Sequence, residues 1–352
     1  MICIMKNIFI CNTPYQIIVA YCIARNILSK DVCDIFISDH FTSSLKIVRR
    51  LKEKSICFNK VYFGETNKWQ LSPLPNKIPL FRKDCVEMAE NIDILNYDRC
   101  IYSNRDIFGI NLLNYIVKKK PDMIIGLMED GFSTYSFDKV GYLDGNNIES
   151  HVGEFYFFFP KLLSWKPNGT IVEVPRYFDT DMDLRDEINR VFGFYNTMDS
   201  YEYKYIFFES GLIGLEDENL MGLLEDITKV IGKENLLVKL HPRTQSNIDF
   251  IKEGYNINND YEIPWEVIAL NIDLKDKILI TNFSQSVVTP RLLFGKEYKV
   301  LFFSDVVATN DFERNFSDYM KDYVFHDGED LFVPQNRNEL MSFVTAQKMG
   351  EE

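Results

Sequence analysis

The chain is expected to fold as an α/β protein made of two doubly wound halves with a cleft between them. Three observations predict this. At 352 residues it is longer than a single hydrophobic core usually grows. In its first part, short apolar runs ending in Asp, Asn or Gly alternate with helix-like stretches, the pattern of a parallel sheet covered by helices. After a stretch of different character, a second series of the same kind follows.

The strand-like runs of the first part are NIFICN (7–12), CDIFISD (33–39), KVYFGE (60–65), RCIYSN (99–104) and MIIGLMEDG (123–131). Helix-like stretches at 16–29 and 42–54 separate the first of them. Between about 140 and 200 come Gly, Pro and Asn turns, the aromatic block EFYFFFPKLLSW and the acidic DTDMDLRDE, which read as a crossover with a linker. The second series is KYIFFES (204–210), NLLVKLHP (235–242), KILITNFS (277–284) and KVLFFSD (299–305), closed by an amphipathic tail helix. The expected divisions are a first domain at 1–165, a crossover at 166–200, a second domain at 201–335 and a closing helix at 336–352. In such sheets ligands bind beyond the carboxyl ends of the strands.

The formal net charge of −13 argues against nucleic acid as a partner, since phosphate neutralisation wants a basic face. A local cationic pocket for a small anion is still compatible with it. The 7 cysteines all lie in the first hundred residues without CxxC spacing, so reduced thiols in the cytoplasm are expected rather than disulfides or zinc. The opening MICIMKNIFIC lacks a basic region and a cleavage site, and reads as a first strand rather than a signal peptide.

Three strand ends carry polar residues suited to one reaction. Glu129, Asp130 and Gly131 close a strand in the first half. A carboxylate beside a turn-forming glycine can act there as a general base, although an acidic turn would look the same. In the second half, Lys239, His241, Pro242 and Arg243 follow an apolar run. The histidine can act as an acid toward a departing phosphate while the cations add positive charge and Pro242 stiffens the turn. Third, ILIT is followed by Ser284, Gln285 and Ser286. Hydroxyls and unpaired N–H groups at a helix start form an anion site, or simply a cap; Pro290 puts that start close to Ser286. Together these place a base on one half, and an acid with a phosphate cradle on the other. Transfer from a nucleotide-activated sugar needs that division.

The ordered set EDG … KLHP … SQS resembles bacterial sialyltransferases, especially glycosyltransferase family 52, which contains lipooligosaccharide and capsule α-2,3-sialyltransferases. The opening NTPYQ, with Asn12 and Gln16, and the IPWE at 263–266, with Pro264 and Glu266, extend the resemblance. It implies a GT-B-like fold of two Rossmann-like domains facing a central cleft, CMP-sialic acid as donor substrate, inversion, and neither cofactor nor metal. By position, Asp130 matches the family's general base, His241 the histidine acting on the leaving CMP phosphate, and Ser284 and Ser286 the serine motif that holds it. Glu129, Gly131, Lys239, Pro242, Arg243, Asn12, Gln16, Pro264 and Glu266 are the expected substrate-binding set. This chain departs from the pattern in two places: Gln285 separates the serines, and Glu209-Ser210-Gly211 stands where a Gln-Pro-like turn is expected.

The expected partners are a nucleotide-sugar donor and a galactose-terminated glycan acceptor. A second copy of the chain, and a membrane's inner face docked by the aromatic block, remain open. Alternatives are a related hexosyltransferase with another nucleotide sugar and an enzyme that holds a metal on the DTDMD at 179–183. A carbohydrate-binding protein with an inactive cleft is a third. A serine hydrolase is disfavoured, because no GxSxG elbow occurs.

Overall fold

The computed structural model describes residues 4–70, 83–103, 106–136, 148–195, 201–209, 217–241, 250–258, 262–307, 311–325 and 330–350. The chain divides into two compact units, 1–193 and 194–352.

The first unit runs β1 (Lys6–Cys11), α1 (Pro14–Asn26), β2 (Val32–Ser38), α2 (Ser44–Glu53), β3 (Val61–Gly64), α3 (Asn67–Gln70), α4 (Lys83–Asn91), β4 (Arg99–Tyr102), α5 (Ile107–Lys119), β5 (Ile124–Met128), α6 (Ser133–Ser136), β6 (Val152–Phe157), β7 (Thr170–Glu173) and α7 (Met182–Phe192). Among the described residues its strands form one parallel sheet in the order β3-β2-β1-β4-β5-β6-β7. The order reverses at β1 and β4, where the carboxyl ends of strands open a crevice in doubly wound sheets. Local chemistry sets the helix starts. Thr13 caps α1 by accepting from the Gln16 N–H, with Pro14 in the first turn. Asp106 caps α5 through the Gly109 N–H.

The second unit runs β8 (Tyr205–Phe208), α8 (Asp217–Ile231), β9 (Leu236–Lys239), β10 (Asn256–Ile257), α9 (Trp265–Asn271), β11 (Ile278–Thr281), α10 (Thr289–Phe294), β12 (Lys299–Phe302), α11 (Ser304–Val307), α12 (Asp311–Tyr323), β13 (Leu331–Phe332) and α13 (Arg337–Met349). Its sheet, also parallel, has the order β10-β9-β8-β11-β12-β13 and reverses at β8 and β11. Tyr205, Phe207, Val238, Ile280 and Leu301 build its core with Leu224 and Ile227 of α8. The closing helix belongs to the same core through Leu340 and Val344.

The expected doubly wound α/β architecture is therefore present in both units. The stretch read as a crossover is more structured than expected, because it supplies β7 and α7 to the first unit. The centre of the aromatic block belongs to the core. Phe155, Tyr156, Phe157 and Phe158 are buried, and Trp165 packs edge-on against Phe155 and Phe157 while its indole N–H donates to the Thr134 carbonyl. Full burial of a Phe side chain is worth about 1.5–3 kcal/mol, so these rings serve the core. Among the described residues no helix is long and apolar enough to cross a membrane.

Candidate active-site residues in each unit

In the first unit, β5 ends at Met128 and the next two residues diverge. Glu129 turns inward and is 1% exposed. Its Oε1 accepts from Tyr15 Oη at 2.5 Å. Its Oε2 accepts from Tyr135 Oη and, at 2.7 Å, from the Phe158 N–H. These partners tie α1, α6 and the end of β6 to the β5 terminus. Glu129 is thus a structural carboxylate, and its expected place in substrate binding does not fit this burial.

Asp130 is only partly buried. Its Oδ1 accepts from Gln16 Nε2 at 2.9 Å and from Thr13 Oγ1 at 3.4 Å, and its own N–H donates to Thr134 Oγ1 at 2.9 Å. Gly131 follows at φ +81°, a left-handed conformation that glycine adopts without steric cost. The Gln16 amide has its orientation imposed: the Asn12 N–H donates to its Oε1 at 2.6 Å, so Nε2 must be the atom facing Asp130. Gln16 is 0% and Asn12 2% exposed. Expected as ligand contacts, they instead hold the aspartate and the β1–α1 turn. Thr13 and Thr134 also hold the aspartate, while Tyr15 and Tyr135 hold Glu129; none of these roles was assigned from the sequence, although Thr13 before Pro14 carries a visible cap signal.

In the second unit, Lys239 ends β9 and is buried; His241 is partly exposed. The backbone here is held from both sides. The His241 N–H donates to Glu209 Oε2 at 2.9 Å, and the Leu240 N–H to Asn258 Oδ1 at 3.2 Å. The Glu209 N–H returns to the Lys239 carbonyl at 3.1 Å. Glu209, at the sequence departure after β8, is thereby the brace of the histidine loop. Pro242, Arg243, Ser210 and Gly211 lie outside the described residues.

Next along the sheet, Thr281 Oγ1 donates to the Phe208 carbonyl at 3.0 Å and accepts the N–H groups of Phe283 and Ser284 at 3.1 and 2.8 Å. This hydroxyl joins the ends of β8 and β11. Ser284 then caps a short 3-10 turn over Gln285–Val287, accepting the Ser286 N–H at 3.4 Å. α10 follows with Pro290 in its first turn. Ser284 is 8% exposed whereas Ser286 is only partly buried. The first serine serves the turn, and the second is the more exposed of the two. We therefore expect Ser284→Ala to lower stability by about 1 kcal/mol through the lost cap. Ser286→Ala should leave the melting temperature unchanged. Calorimetry of both variants checks this.

Pro264 stands at the N-cap of α9. Trp265 packs edge-on against Phe208, ring centroids 4.7 Å apart. Burial pushes the Glu266 carboxyl up, opposed by a backbone N–H and by the charge of Lys239. The IPWE segment thus pins α9 beneath β8 and sets Glu266 near the β9 end.

Within the acidic DTDMD at 179–183, one aspartate has a structural role. Asp181 caps α7 through the Leu184 N–H and pairs with Arg25 at 2.8 Å, and the Arg25 hydrogen bond holds its carboxyl below the usual range. Asp183 is 83% exposed at its side chain, at the margin of the same arginine.

No family model matches the chain, and no curated protein matches it significantly. Solved structures do share its architecture, which is that of a GT-B fold. An α/β-galactoside α-2,3-sialyltransferase from the luminous marine bacterium Photobacterium phosphoreum is similar with a TM-score of 0.54 at 12% identity, over 94% of this chain and 98% of that one. The UDP-GlcNAc 2-epimerase of Methanocaldococcus jannaschii, in complex with UDP-GlcNAc and UDP, gives 0.57 at 13% identity, over 98% and 93%. Arabidopsis thaliana UGT89C1, complexed with UDP, gives 0.56 at 11%, over 97% and 90%. Identities this low establish the fold alone.

Proposed function

We propose that the chain is an inverting, metal-independent sialyltransferase that moves sialic acid from CMP-sialic acid to a hydroxyl of a galactoside on a surface glycan, with the α-2,3 linkage as the first to test. One observation carries the reading most: of two adjacent acids at the end of β5, Asp130 alone stays partly exposed, and it is gripped on one oxygen by Gln16 and Thr13. A positioned carboxylate of this kind suits a general base. The second support is the order of the motifs, with His241 and Ser286 on the other unit at strand ends beside the reversal of its sheet. The fold shared with the Photobacterium enzyme agrees with it.

In this mechanism Asp130 takes the proton of the acceptor hydroxyl as that oxygen attacks the anomeric carbon. The bond to the CMP phosphate breaks on the opposite side of that carbon. His241, protonated, gives its proton to or stabilises the departing phosphate, and Ser286 donates a hydrogen bond to it. A cationic side chain supplies the charge that a divalent ion would otherwise bring.

The neighbours that bind UDP keep a second donor open, that of a hexosyltransferase. Thermal-shift titration separates the two: CMP should raise the melting temperature well above the effect of UDP or GDP. Turnover of CMP-sialic acid should also persist in EDTA. A clear preference for UDP overturns the sialyl donor; loss in EDTA with rescue by Mn²⁺ returns the metal to the reaction.

A further inference from the structure

Both side chains that grip Asp130 Oδ1, Gln16 and Thr13, come from one place, the turn between β1 and α1 and the helix start it leads into. Thr13 Oγ1 accepts the Gln16 N–H at 3.2 Å as it donates to Asp130, so the two move together. The direction of the carboxylate is therefore inherited from the placement of that turn. Placement matters, because a reacting group misplaced by about 1 Å loses about 10²-fold in rate. The turn needs an anchor of its own. In the sheet order β4 stands between β1 and β5, and the anchor follows β4.

Asp106 does two things with one oxygen. Its Oδ1 accepts the Gly109 N–H at 3.1 Å, which caps α5, and it accepts Asn12 Nδ2 at 3.1 Å. The cap requires only the first of these bonds. The second ties the start of α5 to the residue that opens the β1–α1 turn. From there the links continue: the Asn12 N–H donates to Gln16 Oε1 at 2.6 Å, and Gln16 Nε2 donates to Asp130 Oδ1 at 2.9 Å. Asp106, Asn12 and Gln16 are all buried, so water does not compete for these bonds, and each link constrains the next. The chain of hydrogen bonds thus reaches from the loop after β4 to the turn after β5, by way of β1.

We infer that Asp106 is a positioning residue for the general base: it anchors the β1–α1 turn through Asn12, and the turn's Gln16 and Thr13 set the aim of Asp130. The inference rests on the proposed role of Asp130 in transfer. Buried as it is, Asp106 acts through the turn and needs no contact with substrate. Its loss should therefore fall on the chemical step and spare the nucleotide, which the proposed reaction places on the other unit.

The test combines turnover, CMP affinity and side-chain NMR on the intact chain. Asn12→Ala is the clean probe: it cuts Asp106 from the turn, keeps the N–H that Gln16 needs and leaves the α5 cap in place. It should lower kcat for CMP-sialic acid with a galactoside by about 10- to 100-fold, the order expected of a misplaced reacting group, with CMP affinity unchanged. Asp106→Ala should lose at least as much. Asp106→Asn keeps the accepting oxygen and should restore turnover. In an Asp130→Asn background, where no base is left to aim, Asn12→Ala should leave the residual rate unchanged. Isotopic labelling of glutamine follows the link without turnover, since the Gln16 side-chain amide should shift and exchange its protons faster in Asn12→Ala. Asn12→Ala remains decisive if Asp106→Ala, which removes the α5 cap, fails to fold. An Asn12→Ala protein that turns over like wild type overturns the inference. So does an equal loss in the wild-type and Asp130→Asn backgrounds, the mark of a merely structural residue, and so does an unchanged Gln16 amide signal. A shifted Gln16 signal with no turnover by the wild type would sink the transfer reading and leave Asp106 as the anchor of Asp130.

Discussion

Asp130→Asn should lower turnover of CMP-sialic acid with a galactoside by about 10²- to 10⁴-fold, equivalent to about 2.7–5.4 kcal/mol of transition-state stabilisation. CMP affinity should barely change. The substitution keeps size, and an amide oxygen can still accept from Gln16 Nε2 and Thr13 Oγ1, the donors that hold Oδ1. The backbone bond to Thr134 is untouched. What disappears is the basic oxygen, so the loss should fall on kcat and kcat/KM together. Glu129 is the control. Its oxygens serve Tyr15, Tyr135 and the Phe158 N–H in the interior. Glu129→Gln should therefore act mainly on stability, leaving the turnover of folded protein near wild type. Loss of turnover in Glu129→Gln with activity retained in Asp130→Asn would move the base to the wrong side of the turn. Activity retained in both would reduce EDG to a structural turn and end the mechanism.

Most of the parallel strands were legible because they are buried on both faces, so the apolar run is nearly continuous and stops at a polar residue. KNIFIC, IIGLM and LLVK show this plainly. β6 escaped for the opposite reason. VGEFYF carries Gly153 and Glu154 inside the strand, and Glu154 is neutralised there by Arg99 at 2.8 Å, a partner 55 residues away that no local pattern shows. β7 was lost because it is short and largely exposed. In the site, residue types at strand ends were readable while their division of labour was not. Sequence spacing cannot tell Glu129 from Asp130, or Ser284 from Ser286, since both pairs differ by which side chain the turn sends inward. The braces were hidden as well. Glu209 supports His241 across 32 positions and Gln16 supports Asp130 across 114. Such pairs exist only once the sheet order has set β8 beside β9, and brought the start of α1 to the end of β5.

His241→Ala should cost both turnover and nucleotide affinity, in contrast to Asp130→Asn. The side chain proposed to stabilise the departing phosphate also touches that phosphate in the bound donor, so ground state and transition state both lose a contact. Loss of a charge-assisted hydrogen bond is worth about 1.5–3 kcal/mol, which predicts CMP binding weaker by about 10- to 100-fold; kcat should fall further, because negative charge on the phosphate grows as the bond breaks. The fold should tolerate the change. The anchoring bond at this position runs from the His241 backbone N–H to Glu209, and alanine keeps that N–H. Glu209→Gln separates the brace from the chemistry: the amide oxygen still accepts the His241 N–H, so the loop should stay in place and CMP affinity should hold. Glu209→Ala removes the acceptor, and is expected to raise the KM for donor and lower stability together. If His241→Ala binds CMP as tightly as wild type and turns over normally, the histidine is only the end of a buried strand. The phosphate must then be met by other groups.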